Sequence, residues 1–251
     1  MIEARGLSYA VNRKRILLDL DFHIEPNDFV LVFGANGAGK STLLRVLAGM
    51  LRTTAGEVRL AGRNLESYAR KELATRLSYL PQAEEFPLPL LVRDILLAGR
   101  YPYRSLFQKP TPRDMEAFAS GVAQFGLDGL LMRNIQTLSG GERKKVLLAG
   151  AFIQDVPLIL LDEPLNSLDP GSARRLVGML EALHRDGRTI VVVAHEIERF
   201  FPLATKMLAL QNGSLRYFGA RTFSTPLFQD VYGVPFQRIT VSGREIIYVD
   251  G

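Results

Sequence analysis

An α/β fold is predicted, with a mostly parallel sheet, a small antiparallel β lobe at the N-terminus and an inserted helical subdomain. Three observations predict it. A glycine-rich loop, G-A-N-G-A-G-K-S-T at 34–42, stands between an apolar run of strand length and a helical repeat of apolar residues. Two further apolar runs, 158–161 and 189–194, alternate with helical patterns, as in a parallel sheet covered on both faces. Residues 83–137 change character, carrying prolines and helical patterns with no strand-like run. At 251 residues and 47% hydrophobic, the chain is long and apolar enough for one large domain carrying such an insert.

Residues 2–33 alternate short apolar stretches with polar turns, and Pro26-Asn27-Asp28 marks the turn before the apolar run 29–33. Tyr9 ends the first stretch, where its ring could either stack on a base or pack on the sheet. After the glycine loop, Leu43, Leu44, Val46 and Leu47 recur at helical spacing. A strand is expected at 57–60, a turn at Ala61-Gly62, a polar helix over 67–75, and a strand at 77–80 ended by Pro81-Gln82. The insert carries helical patterns at 92–98 and 111–125. The second opens on Thr111-Pro112-Arg113-Asp114: a cap residue, a first-turn proline and an early acid.

Leu138-Ser139-Gly140-Gly141-Glu142 then opens a long helix whose apolar positions Val146, Leu147, Ala149 and Ile153 fall at three- and four-residue steps. The strand 158–161 delivers Asp162-Glu163 at its C-terminal end. A helix at 170–184 leads to the strand 189–194, which ends at His195. The tail reads as hairpins, 207–210 against 215–218 across Asn212-Gly213, and a second around Ser242-Gly243. In this reading 1–82 and 138–251 form the β lobe and core, and 83–137 the helical subdomain.

The loop fits G-x-x-x-x-G-K-[ST] with Gly34, Gly39, Lys40 and Ser41 at the fixed positions. Glycines let backbone N–H groups wrap a phosphate, and the start of the following helix adds positive potential. Asn36, Gly37 and Thr42 complete the cradle. Lys40 would reach the β- and γ-phosphates of a nucleoside triphosphate, and the Ser41 hydroxyl would ligate Mg²⁺. Asp162 would hold the same ion through a water, and Glu163 would accept a proton from the attacking water. Gln82 and His195 end strands at the same sheet edge, where ligands of such sheets gather. An amide at Gln82 could contact Mg²⁺ or water, and the imidazole of His195 could bond the γ-phosphate or the water. Ser139-Gly140-Gly141, at a helix start, is either a second anion cradle or an ordinary serine cap. One phosphate loop plus one extra cradle suggests two copies sharing their sites.

The formal charge of +5 suits a phosphate ligand or an anionic surface, and nucleic acid is not expected as a partner. The absence of cysteine excludes disulfides and thiolate metal sites. The N-terminus lacks the apolar core of a secretory signal, and no apolar run approaches the ~20 residues of a membrane span. A cytoplasmic protein is therefore expected.

Together these residues resemble an ATP-binding cassette (ABC) ATPase, a P-loop NTPase, over almost the whole chain. The loop at 34–42 resembles Walker A, 158–163 Walker B with its catalytic glutamate, and Leu138 to Glu142 (LSGGE) the family signature. Gln82 falls at the Q-loop, Ser167-Leu168-Asp169 at the D-loop, and His195 at the switch histidine. Tyr9 falls at the adenine-stacking aromatic. The resemblance implies ATP and Mg²⁺ as ligands and a head-to-tail homodimer. In that dimer each ATP lies between Walker A of one chain and Ser139 to Gly141 of the other, with Asp169 nearby. It also implies a membrane permease docked near Gln82, on the apolar stretch 89–103, and a peripheral place on the inner face of the cell membrane. The stretch LAGRYPY at 97–103, and Val231-Tyr232-Gly233-Val234, are similar to importers of iron–siderophore, haem and cobalamin. Such importers also use a solute-binding protein, which would meet this subunit only indirectly. The alternative is a soluble ABC ATPase of iron–sulfur cluster assembly. Departures from the family pattern are Asn27-Asp28 in place of Gly-Glu, Gly150 for arginine, Leu165 for threonine and Glu196 for aspartate.

Overall fold

A computed structural model describes residues 1–82, 86–105, 108–166, 168–241 and 244–249. Ser167 and the Ser242-Gly243 turn lie outside the described residues. In chain order the elements are β1 (Ile2–Val11), β2 (Lys14–Ile24), β3 (Phe29–Phe33), α1 (Lys40–Leu47), β4 (Ala55–Leu60) and β5 (Arg63–Asn64). There follow α2 (Arg70–Leu73), β6 (Leu77–Leu80), α3 (Val92–Ala98), α4 (Pro112–Phe125), α5 (Gly140–Gln154), β7 (Leu158–Asp162) and α6 (Pro170–Arg185). The chain continues through β8 (Thr189–Val193), α7 (Ile197–Phe200), β9 (Lys206–Gln211), β10 (Ser214–Ala220), α8 (Thr225–Tyr232), β11 (Phe236–Val241) and β12 (Arg244–Val249).

The central sheet runs β10-β9-β3-β8-β7-β6, parallel throughout except for β10. Its inner strands are buried on both faces, which is why they read as unbroken apolar runs. Alternate residues divide between two cores. Phe29, Leu31, Phe33, Ile159, Leu161, Ile190 and Val192 meet the helices α3 to α8 on one side. Val30, Val32, Leu158, Leu160, Val191 and Val193 meet α1 and the antiparallel lobe β2-β1-β4-β5 on the other.

Locally, one expectation changes and two features are added. The polar helix expected at 67–75 is a 3₁₀ turn, Leu65–Ser67, followed by the single turn α2. The hairpin of 207–210 with 215–218 forms as expected, β9 against β10, but its first strand does more. As β9 it joins the central sheet, parallel to β3. The helix α8, which no motif announced, packs Phe228 against Phe33 with ring centroids 5.1 Å apart. The turn before β3 behaves as its sequence implies, since Asn27 adopts φ +62° in place of glycine.

The helical insert contains α3 and α4. Thr111 caps α4 with a reciprocal capping box to Asp114, and Gly126 ends it in the left-handed region. The C-terminal end of α5 packs across both helices. A Cβ at Gly121 of α4 would lie 2.4 Å from the Ile153 side chain, so glycine permits that close approach. Among the described residues no helix is long and apolar enough to cross a membrane.

Candidate nucleotide site

The β3–α1 connection leaves the sheet at Gly34, where φ is +153° and a Cβ would lie 2.2 Å from the Leu210 carbonyl oxygen. Only glycine fits there. Gly37 and Gly39 also take positive φ, and Gly39 stands at the start of α1 without a side-chain cap. Lys40 is buried, and its ammonium donates back across the loop to the carbonyls of Gly34 (2.7 Å) and Ala35 (3.0 Å). Burial lowers the pKa of Lys40, while the nearby carboxylates of Glu163 and Asp162 oppose that shift. An ammonium placed this way is held by carbonyl dipoles that a phosphate can replace with a full negative charge.

The register of β7 brings the second half of the site to the first. Asp162 ends β7 beside Val193 of β8, and its Oδ1 accepts a hydrogen bond from Ser41 Oγ at 3.0 Å. Tyr79 donates to the other carboxylate oxygen at 3.4 Å. Burial raises the Asp162 pKa, and the Ser41 bond opposes this.

Glu163 leaves the strand with φ +48°, its N–H donating to the Val193 carbonyl at 3.0 Å. Its nearly buried carboxylate is held by three side chains. Gln82 Nε2 donates at 2.7 Å, His195 Nε2 lies 2.8 Å from Oε1, and Asn166 Nδ2 donates to Oε2. Lys144 of α5 reaches the backbone of the same turn, donating to the carbonyls of Glu163 (3.5 Å) and Asn166.

These groups share one open cleft lined by Asn36, Gly37, Gly39, Lys40, Ser41, Thr42, Gln82, Glu163 and His195. Lys14, Ile16 and Asn166 also line it, and the sequence reading did not single them out. Asn166 had a signal, its place three residues after Glu163 in the strand-to-helix turn. Lys14 had only its place in a short basic run, Arg13-Lys14-Arg15. Tyr9 is not brought into the cleft lining: it is half-buried opposite Leu17 and packs on the N-terminal core.

Ser139 is the N-cap of α5. Its hydroxyl accepts from the Glu142 N–H at 3.3 Å, and Glu142 returns a bond to the Ser139 N–H at 2.8 Å. Those bonds from Ser139 lower the pKa of Glu142. Ser139 and Gly141 line a different groove, with Leu168, Ser172 and Arg175. Asp169 caps the adjoining helix α6, accepting from the Ser172 N–H at 3.0 Å. The phosphate loop and the capped start of α5 therefore open onto separate grooves that share no residue.

Comparison with known proteins shows the family. The sequence pattern of the ABC transporter family matches residues 17–166. The ferric enterobactin transport ATP-binding protein of Escherichia coli is 31% identical over 93% of this chain and 87% of its own. The hemin import ATP-binding protein of Nocardia farcinica is 34% identical over 98% and 86%. A phosphonates import ATP-binding protein of Pseudomonas syringae is 34% identical over 92% and 89%. Among solved structures, an inward-facing ABC transporter assigned to the metal-chelate type superposes with a TM-score of 0.84. It has 25% identity and covers 99% of this chain and 96% of that one. With a phosphate loop, a carboxylate pair and a signature helix start in this arrangement, the chain belongs to the ABC transporter family, as one of its ATP-hydrolysing subunits.

Proposed function

We propose that this chain hydrolyses ATP in the cleft at the end of β3 and couples that reaction to import of a chelated metal, such as an iron–siderophore or haem, through a membrane permease. The observation that carries the chemistry is Glu163, held by Gln82, Asn166 and His195 beside Lys40 and Ser41. The N–H groups at the start of α1 and the Lys40 ammonium hold the phosphates. Glu163 takes the proton of the attacking water, and His195 orients that water or the γ-phosphate. The Ser41 hydroxyl, the Asp162 carboxylate and the Gln82 amide are oxygen donors that fit Mg²⁺, and Ser41 and Asp162 already lie within hydrogen-bond distance. When bound, Mg²⁺ neutralises phosphate charge. Among the described residues no cluster of three or more acids and histidines would hold a metal, which suits an ion that completes its shell with phosphate and water.

The separate groove of Ser139 and Gly141 supports a homodimer related by a twofold axis, in which the signature of a second copy closes on the γ-phosphate. A peripheral place on the inner face of the membrane follows from permease docking. A solute-binding protein would act on the permease and not on this chain. The ferric enterobactin and hemin relatives support the cargo class, and the importers among the relatives favour import over iron–sulfur cluster assembly.

Replacement of the base tests the reading. Glu163→Gln keeps the side chain's shape and removes its basicity, so turnover falls by about 10²–10⁴-fold while ATP binding persists. ATP-bound dimer then accumulates in sedimentation velocity. A mutant that stays monomeric at saturating ATP, or turns over at the wild-type rate, contradicts both the base assignment and the shared site.

A further inference from the structure

The phosphate loop is built by residues 34–42, yet both of its arms are held by the C-terminal quarter of the chain. Phe33 is the last residue of β3 to pair with β9, so the N–H of Gly34 points beyond the sheet ladder. It donates instead to the phenol oxygen of Tyr232, at the end of α8, at 3.1 Å. The carbonyl of the same residue accepts from Lys40 at 2.7 Å. Gly34 is therefore gripped from both sides, and its Cα lies too close to the Leu210 carbonyl for any larger residue. On the other arm, the Gly213 N–H donates to the Ala38 carbonyl at 3.2 Å. The Gly213 carbonyl in turn accepts from Leu18 of β2 at 2.8 Å.

We propose that Tyr232 is a positioning residue of the nucleotide site, whose hydroxyl fixes the Gly34 peptide and thereby the seat of the Lys40 ammonium. The inference rests on the cleft being the ATP site and extends it to a helix that contributes no residue to the cleft lining. Tyr232 is placed for this by an aromatic stack. Its ring lies 6.3 Å from Phe33 and 5.2 Å from Phe236, while Phe228 and Phe223 continue the cluster. Burial pushes its phenol up to about 12, so the hydroxyl is neutral across the working pH range. A ring packed in this way needs no hydroxyl for its own burial. Among the described residues the oxygen has one hydrogen-bond partner, the backbone at the entrance of the phosphate loop.

Tyr232→Phe separates the two roles, because it keeps the ring and removes only the acceptor. The buried Gly34 N–H is then unpaired and the loop entrance relaxes. The expected result is a three- to tenfold rise in Kd and KM for ATP, about the value of one hydrogen bond, with kcat little changed. Hydrogen exchange at the Gly34 amide, measured without nucleotide, should quicken. Phe223→Leu disturbs the same aromatic cluster away from the hydroxyl. It should lower the melting temperature while leaving ATP affinity as in wild type. Wild-type affinity in Tyr232→Phe would overturn the proposal, as would equal weakening by Phe223→Leu. Failure of the nucleotide reading itself is distinct: wild-type protein would not bind ATP, or Lys40→Ala would bind it unchanged.

Discussion

Glu163 sits in a backbone conformation that a residue with a Cβ adopts at a cost of about 1–2 kcal/mol. In that conformation its carboxylate shares the cleft with Lys40 and acts on the ammonium charge. Asn166, at the far side of the same turn, completes the grip with Gln82 and His195. Asn166→Ala removes one hydrogen bond to a charged group, so kcat should fall about tenfold with KM for ATP unchanged, read by steady-state hydrolysis. Tyr9 belongs at this scale too. It does not line the cleft, yet it lies in the strand beside β2, whose Lys14 and Ile16 do. If its ring stacks on adenine, Tyr9→Ala weakens ATP binding about tenfold, within the range for base–aromatic stacking. Unchanged affinity in a titration assigns Tyr9 to sheet packing alone.

Among the elements, α3, α4 and α5 are joined by a buried ion pair. Arg100, just past α3, donates to Asp114 of α4 at 2.9 Å and to the Ile153 carbonyl near the end of α5 at 3.0 Å. Tyr103 covers the guanidinium at 4.2 Å. Both charged side chains are under 5% exposed. Arg100→Leu leaves a buried carboxylate without its partner, a loss of about 3–5 kcal/mol, or roughly 10 °C in Tm for a chain of this size. Calorimetry tests that value. Burial alone would raise the Asp114 carboxyl, but hydrogen bonds from Arg100 and Thr111 together outweigh it and hold the carboxyl at about 2. A depressed folded pKa stabilises fully above the ordinary carboxyl range, and that stability is lost as the pH falls through about 2. Asp114→Asn should therefore flatten the fall in stability below about pH 4, measured by denaturation across the acid range.

For the whole molecule, the proposed dimer rests on the separation of the phosphate loop from the start of α5. Adding Ser139→Arg to Glu163→Gln should dissolve the ATP-bound dimer, since the much bulkier side chain fills the space that the facing phosphate needs. Sedimentation velocity distinguishes the two proteins. The expected permease surface also takes shape at this scale. Leu97, in the middle of the apolar stretch, packs partly buried against the main core and is a poor probe of docking. Leu88, just before that stretch, and Leu90, within it, are 61% and 41% exposed. Leu88→Asp should abolish transport by the assembled importer while the isolated subunit keeps its ATPase activity, and retained transport would remove this surface from the interface.

The phosphate loop, the strand runs at 158–161 and 189–194 and the capped helix starts were legible in the sequence, because each is a local arrangement. Gly34 to Ser41 need only themselves and a strand before them. Thr111 and Ser139 bond three residues ahead, and a strand buried on both faces must be apolar throughout. Gln82 and His195 could be assigned to one sheet edge because parallel strands all end on the same side. Their meeting on one carboxylate was not legible, since it depends on the turn after Glu163 and on the strand order β8-β7-β6. The tail is the clearest contrast. Its β9 has the spacing of a hairpin strand, but burying Leu208 and Leu210 on one face and Met207 and Ala209 on the other draws it into the central sheet. That move sets α8 under the phosphate loop and brings Tyr232 to Gly34 across 198 residues of chain, a separation at which no local pattern carries information.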